Sequence, residues 1–343
     1  MNTLLGFLLF SFAINSALIV PFINLLYNLK FQRPSRKTSD LMGKVNSVFN
    51  HLHKNKSGTP VGGGILIILT TSLLYLLVST LLRLVGANGT SVYDLRSEVT
   101  MIFAAFLLFG LLGLYDDIVK FFDIKSTKGV GMSWRTKLTA QLVLGLGIGW
   151  YMFSNMGISI LNIPSLGVID LGWLFVPFAA LVITGFSNAV NITDGLDGLA
   201  SGLLMITLFA LIILGVSIID TPITLFIALW LGGILAFIYF NTYPARIFLG
   251  DVGALSFGAT LAVIGLLLGK IVAVCIIGGF FLLELSTSLI QILGTRYLGR
   301  RLLPLSPFHL WLQSVGWEEP KVVARAWLGG IILAIFGLWL AFL

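Results

Sequence analysis

The stretch Asn188-Ala-Val-Asn191-Ile-Thr-Asp194-Gly-Leu-Asp197-Gly-Leu-Ala200 decides how this chain is read. It lies between two long apolar runs, yet carries two carboxylates, two carboxamides and two glycines. A charged side chain at the centre of a membrane helix costs roughly 2.5–3.5 kcal/mol on insertion scales. Asp194 and Asp197 therefore belong at a membrane surface or in a wet cleft, and their cost implies a use. At i and i+3 they would share one face of a helix. Gly195 and Gly198 leave room for a ligand beside the backbone. An ordinary polar loop with turn glycines would read the same way in isolation, so the rest of the chain has to decide.

Composition decides the class. The 343 residues are 57% hydrophobic and 10% charged, where a soluble domain is about one-quarter charged. The expectation is an all-α integral membrane protein, a single polytopic domain over 1–343. A span takes about 20 apolar residues. Ten fit: 3–28, 61–82, 98–115, 138–156, 171–188, 199–218, 222–240, 254–269, 271–293 and 325–343. The first lacks a basic leader region and a small-residue cleavage site, so it reads as a retained span. No convincing internal repeat is present, which argues against an inverted-repeat transporter. The one cysteine, Cys275, lies in an apolar run and reads as a buried hydrophobe.

Lysines and arginines set the orientation. Seven fall in 29–60, five in 116–137, one (Arg246) in the next loop on that side and five from Arg296 to Arg325, 18 of the 21 in all. Arg83, Arg96 and Lys270 fall on the other side. The crowded side is read as cytoplasmic, with both termini extracytoplasmic. The net charge of +7 is then topological, and no nucleic-acid partner is implied. Asp116, Asp117, Asp194, Asp197 and Asp251 all fall on the basic side, in different loops. Asp94, Glu98, Asp170 and Asp220 fall on the other and read as solvated loop charges. Carboxylates converging amid lysines suit a Mg²⁺ and phosphate site, because Mg²⁺ takes one or two carboxylates plus phosphate oxygens and lysine supplies point charges. Phosphoryl transfer needs mainly positioning and charge neutralisation. A transporter of anions would place charges at mid-membrane in several spans, and only Glu284 does so.

Three stretches resemble the polyprenyl-phosphate N-acetylhexosamine-1-phosphate transferase superfamily. They are Asp116-Asp117-Ile-Val-Lys120, the segment Asn188–Gly198, and Asn241-Thr-Tyr-Pro-Ala-Arg-Ile-Phe248-Leu-Gly-Asp251-Val-Gly. Two more, Lys56-Ser-Gly-Thr-Pro60-Val-Gly-Gly-Gly and Pro307-Phe-His309-Leu-Trp-Leu-Gln313, are similar to the branch of phospho-N-acetylmuramoyl-pentapeptide transferases. Lys128-Gly-Val and Ser133-Trp-Arg135-Thr-Lys137 also fit that branch. The chain departs from it where a triple histidine becomes His309-Leu310-Trp311, a following Glu becomes Gln313, and Thr-Met becomes Val61-Gly62.

The resemblance implies an inner-membrane enzyme. Undecaprenyl phosphate would attack UDP-MurNAc-pentapeptide to give lipid I and UMP, with Mg²⁺ as cofactor, and a homodimer is suggested. Asp251 would ligate Mg²⁺, with Asp117 beside it. Asp116 or Asp117 would handle the lipid phosphate, whose own ionisation leaves the need for a base open. His309 would join the catalytic set. Asn188, Asn191, Asp194, Asp197 and Asn241 would hold the uridine-sugar end, with Phe248 as a stacking platform. Lys56, Lys120 and Lys128 would meet phosphates. The alternative in the same superfamily is transfer of GlcNAc-1-phosphate or another sugar phosphate. His51 and His53 read as solvated loop residues, and Glu284 reads equally as bundle structure or as part of the site.

Overall fold

In hydrocarbon every backbone N–H and C=O has to be satisfied within the chain, so apolar runs become helices. A computed structural model describes residues 2–33, 58–86, 89–122 and 131–343. The helices are α1 (Asn2–Asn28), α2 (Gly63–Leu84), α3 (Leu95–Phe103) and α4 (Phe109–Phe122), the last two joined by a π-helical turn, Ala104–Leu108. Next come α5 (Trp134–Met156), a small antiparallel hairpin of β1 (Ile160–Ile163) and β2 (Gly167–Asp170), α6 (Phe175–Thr193) and α7 (Leu199–Ser217). The chain continues through α8 (Thr221–Asn241), α9 (Gly250–Leu267), α10 (Ile271–Ile277), α11 (Gly279–Leu298), α12 (Phe308–Ser314) and α13 (Glu319–Ala341). The protein is an all-α integral membrane protein.

Helix α9 is the axis of the bundle and is almost wholly buried. Its small residues explain how. A Cβ on Gly258 would fall 2.2 Å from the Phe186 carbonyl of α6, and one on Gly113 of α4 would fall 2.2 Å from the Asp251 carbonyl of α9. Such close backbone approach is what small residues allow between membrane helices. The π turn is held by the same helix, because Ser256 Oγ donates to the Phe106 carbonyl at 2.6 Å. Phe106, Phe226, Trp230 and Phe257 pack around that point with Phe106–Phe226 and Trp230–Phe257 centroids each 5.0 Å apart. On the far side, Ser11 Oγ donates to the Leu229 carbonyl at 2.6 Å and Thr70 Oγ1 to Asn15 Oδ1 at 2.8 Å, joining α1, α2 and α8.

Several expectations change. Eight helices among the described residues are long and apolar enough to cross a membrane, nine with one bent pair, where ten spans were expected. The remaining expected span, 138–156, lies within α5, a 23-residue helix that is less apolar, with Gln141, three glycines, Ser154 and Asn155 along it. The span expected over 271–293 is broken at Gly278, where α10 and α11 bend by 80°. The Gly278-Gly279 pair has little helix propensity, and the Phe186 ring lies where a Cβ on Gly278 would be, 2.9 Å away. Glu98 and Asp220, expected to be solvated, are buried. Asp220 caps α8 by accepting from Ile223 N at 3.1 Å and also accepts from Val92 N, while Glu98 accepts from Ser91 Oγ at 2.5 Å. Asp94 and Asp170 remain exposed as N-cap and turn residues.

Candidate active site at one end of the bundle

Because Gly113 lets α4 lie on the backbone of Asp251, the next turn of α4 brings Asp116 and Asp117 to the start of α9. Asp117, 2% exposed, accepts from Val252 N at 3.1 Å, so its carboxylate sits on the N-terminal turn of α9. That is where unsatisfied amides and the helix dipole favour a negative charge. Asp116, equally buried, accepts from Met132 N at 2.7 Å. Lys120 lies one turn along α4, 3.0 Å from Asp116 and 2.7 Å from Asp251. Lys137, from the first turn of α5, lies 3.0 Å from Asp116 and also contacts Asp251. Two ammonium groups thus link two carboxylates from different helices, and Asp117 stands within electrostatic reach of Asp251 and Lys120.

The segment 194–198 is a turn, not a continuation of α6, so Asp194 and Asp197 do not share a helical face as the spacing suggested. Asp197 accepts from Ala245 N at 2.9 Å, while its own N–H donates to Glu319 Oε1 at 2.7 Å. The turn is therefore tied both to the connection before α9 and to the start of α13. Asn241 makes the same junction: it accepts from Gly198 N at 3.2 Å and Ser201 Oγ at 2.6 Å, and donates to the Ile247 carbonyl at 2.9 Å. Trp327 of α13 donates to the Gly198 carbonyl at 3.1 Å. Asn188 donates to Gln141 Oε1 at 2.7 Å, which couples α6 to α5. Asn191 keeps its buried Nδ2 without a hydrogen-bond partner among the described residues.

Phe248 is buried, and Arg33 lies over its ring at 5.4 Å from the centroid. Burial lowers the pKa of Arg33, and the charges of Asp194, Asp197 and Glu319 act against that. His309 is buried on α12, its Nδ1 3.0 Å from Glu284 Oε2, while its ring edge abuts Gly195. Lys56, Lys128, His51 and His53 lie outside the described residues.

The structure brings the expected Asp116, Asp117, Lys120 and Asp251 into one cluster. It also connects Asp194, Asp197, Asn241 and Phe248 through their neighbours. It adds Lys137, Arg33, Glu319 and Gln141, which sequence reasoning did not place there. Lys137 carried one usable signal: a cation in the first turn of a helix opposes the macrodipole, so it requires a carboxylate partner. Glu319 and Arg33 carried none, because their partners are distant in sequence.

Among the described residues no three His, Cys, Asp or Glu side chains come together as a metal cage. Asp117 and Asp251 nevertheless offer hard oxygen donors with no sulfur or imidazole beside them. That set suits a cation that completes its shell with phosphate oxygens and water, as Mg²⁺ does.

The family described as Glycosyl transferase family 4 matches residues 99–269, the stretch from α3 to the end of α9. A phospho-N-acetylmuramoyl-pentapeptide-transferase of Halalkalibacterium halodurans is 32% identical over 99% of this chain and 98% of its own length. The protein of the same name from Shouchella clausii is 34% identical over 98% and 97%. That from Acetivibrio thermocellus is 37% identical over 83% and 82%. With relatives at these identities along nearly its whole length, the chain is a multi-pass membrane transferase that belongs to the phospho-N-acetylmuramoyl-pentapeptide-transferase family.

Proposed function

We propose that this protein transfers phospho-MurNAc-pentapeptide from UDP-MurNAc-pentapeptide to undecaprenyl phosphate, forming lipid I and UMP for peptidoglycan synthesis. The observation that carries this reading is the pairing of Asp116 and Asp251 through Lys120 and Lys137 beside Asp117. Two ammonium groups beside carboxylates at one end of a membrane bundle support a reading in which a soluble diphosphate meets a lipid phosphate there.

An oxygen of the lipid phosphate attacks the β-phosphorus of the donor, and the bond from that phosphorus to the oxygen bridging it to the α-phosphate breaks. UMP leaves with the electron pair. The nucleophile is already ionised, so no proton need be removed, and Asp116 serves to hold Lys120 and Lys137 in place. When bound by Asp117 and Asp251, Mg²⁺ supplies charge neutralisation at the diphosphate. Lys120 and Lys137 turn from the carboxylates to the phosphate oxygens, where their three donors each can follow the shifting charge. Asn191, Asp194 and Asp197 face the uridine-sugar end, and Asn241 and Asn188 position them through the contacts above. Phe248 offers its ring to uracil once Arg33 moves off it. The single domain works in the cytoplasmic membrane, with the site facing the cytoplasm, and as a homodimer.

The test is a transferase assay on protein purified in detergent, with undecaprenyl phosphate and Mg²⁺ and with UDP-MurNAc-pentapeptide and UDP-GlcNAc supplied in parallel. UMP release and lipid-linked product from the muramoyl donor alone is the expected result. Product from UDP-GlcNAc alone would move the chain to the other sugar branch.

A further inference from the structure

Glu284 lies within α11, an apolar helix, and is 0% exposed. A carboxylate in that position is retained only where its oxygens are used. Both are used by one residue 25 positions away: the His309 backbone N–H donates to Oε1 at 3.1 Å, and the ring Nδ1 lies 3.0 Å from Oε2. A carboxylate oxygen facing Nδ1 is placed to accept from an Nδ1–H, and the Nε2 edge is turned the other way. That edge meets the turn carrying Asp194 and Asp197. A Cβ on Gly195 would fall 2.7 Å from Nε2 and 3.1 Å from Cε1. His309 stands on α12, a helix of seven residues, and Glu284 of α11 contacts both its backbone N–H and its ring.

We propose that Glu284 is a positioning residue: it locks His309 in the Nδ1–H tautomer and sets Nε2 against Gly195, which holds the Asp194–Asp197 turn where the donor binds. The role rests on the transferase reading, while the clamp itself is independent of it. It also accounts for a histidine that survives without the two that usually follow: Leu310 and Trp311 pack, and His309 alone reaches Gly195. A carboxylate needed only to fill space would be replaced by glutamine without effect. A tautomer lock would not, because a glutamine amide placed opposite Nδ1 donates where the carboxylate accepted.

The chain has three histidines, so ¹⁵N-histidine NMR of the full-length protein in detergent can read the His309 ring, with His309→Asn to assign it. The wild type should show the Nδ1–H form and Glu284→Gln the Nε2–H form. kcat should fall about ten- to a hundred-fold, as for groups that orient a functional ligand, while KM for undecaprenyl phosphate stays unchanged. In a His309→Ala background Glu284→Gln should cost nothing further. Gly195→Ala, which leaves Glu284 intact, should push the ring away and give a similar loss, again not additive with His309→Ala. An unchanged tautomer in Glu284→Gln, or losses that multiply in the double variants, would overturn the proposal. Wild-type protein without turnover would sink the transferase reading alone, since the tautomer still judges the clamp.

Discussion

The two ends of the bundle both bury carboxylates, and they do so by different means. At one end Asp116 and Asp251 are matched by the ammonium groups of Lys120 and Lys137. At the other, some 18 residues back along the α3–α4 span and so roughly 27 Å away at 1.5 Å per residue, Glu98 meets Ser91 and Asp220 caps α8. The second set meets a hydroxyl and backbone amides: Ser91 Oγ donates to Glu98 Oε2 and Ile223 N to Asp220 Oδ1, while Glu98 Oε1 keeps no hydrogen-bond partner among the described residues. The first is held by two lysine ammonium groups, each shared between two carboxylates. Burial is common to both ends; the charge of the partner differs, cationic at the candidate site and neutral at the other end.

Breaking that contrast should give unequal effects. Asp251→Asn removes the partner of two lysines and, on the proposed function, a Mg²⁺ ligand, and turnover should fall by about 10³-fold, the scale of losing a main electrostatic stabiliser. UMP release by the purified variant reads it, and an unchanged rate would remove Asp251 from the site. Gly113→Ala lies outside the chemistry, but its methyl would press on the Asp251 carbonyl. Displacing α4 by even 1 Å should lower kcat by about 10²-fold, checked by the same assay on protein whose melting temperature shows that it folds. Glu98→Gln tests the opposite end. Its activity should stay within about twofold and its stability should change by no more than about 1 kcal/mol, because glutamine keeps an oxygen that can accept from Ser91 Oγ, read from thermal unfolding. A large loss of turnover there would erase the distinction between the two ends.

Much of this was legible in the chain because charge stands out against so apolar a background. Asp116, Asp117, Asp194, Asp197 and Asp251 fell on one side by loop counting alone, and the structure joins Asp116, Asp117 and Asp251 in one cluster. What could not be read depends on tertiary neighbours. The 80° bend at Gly278 needs the Phe186 ring as well as the glycine pair. Asp220 looked like a loop charge because a cap and a solvated acid share the same local sequence, and Glu98 because its partner Ser91 comes from the loop before α3. Lys137 was counted as a topology marker, although its place in a first helical turn called for an acidic partner. The Glu284–His309 contact joins two segments 25 residues apart, and no periodicity connects them. Arg33 over Phe248 likewise pairs residues that share no local pattern.

The most direct measurement is where a uridine nucleotide sits. A photoreactive uridine diphosphate sugar would be cross-linked to the purified protein with Mg²⁺ and the labelled peptides mapped by mass spectrometry. The predicted result is label in the peptides spanning Asn191–Gly198 or Arg246–Gly253, competed away by excess UDP-MurNAc-pentapeptide. Label confined to the Tyr93–Glu98 and Asp220–Thr224 end, with none at Asp194 or Phe248, would contradict the placement of the active site.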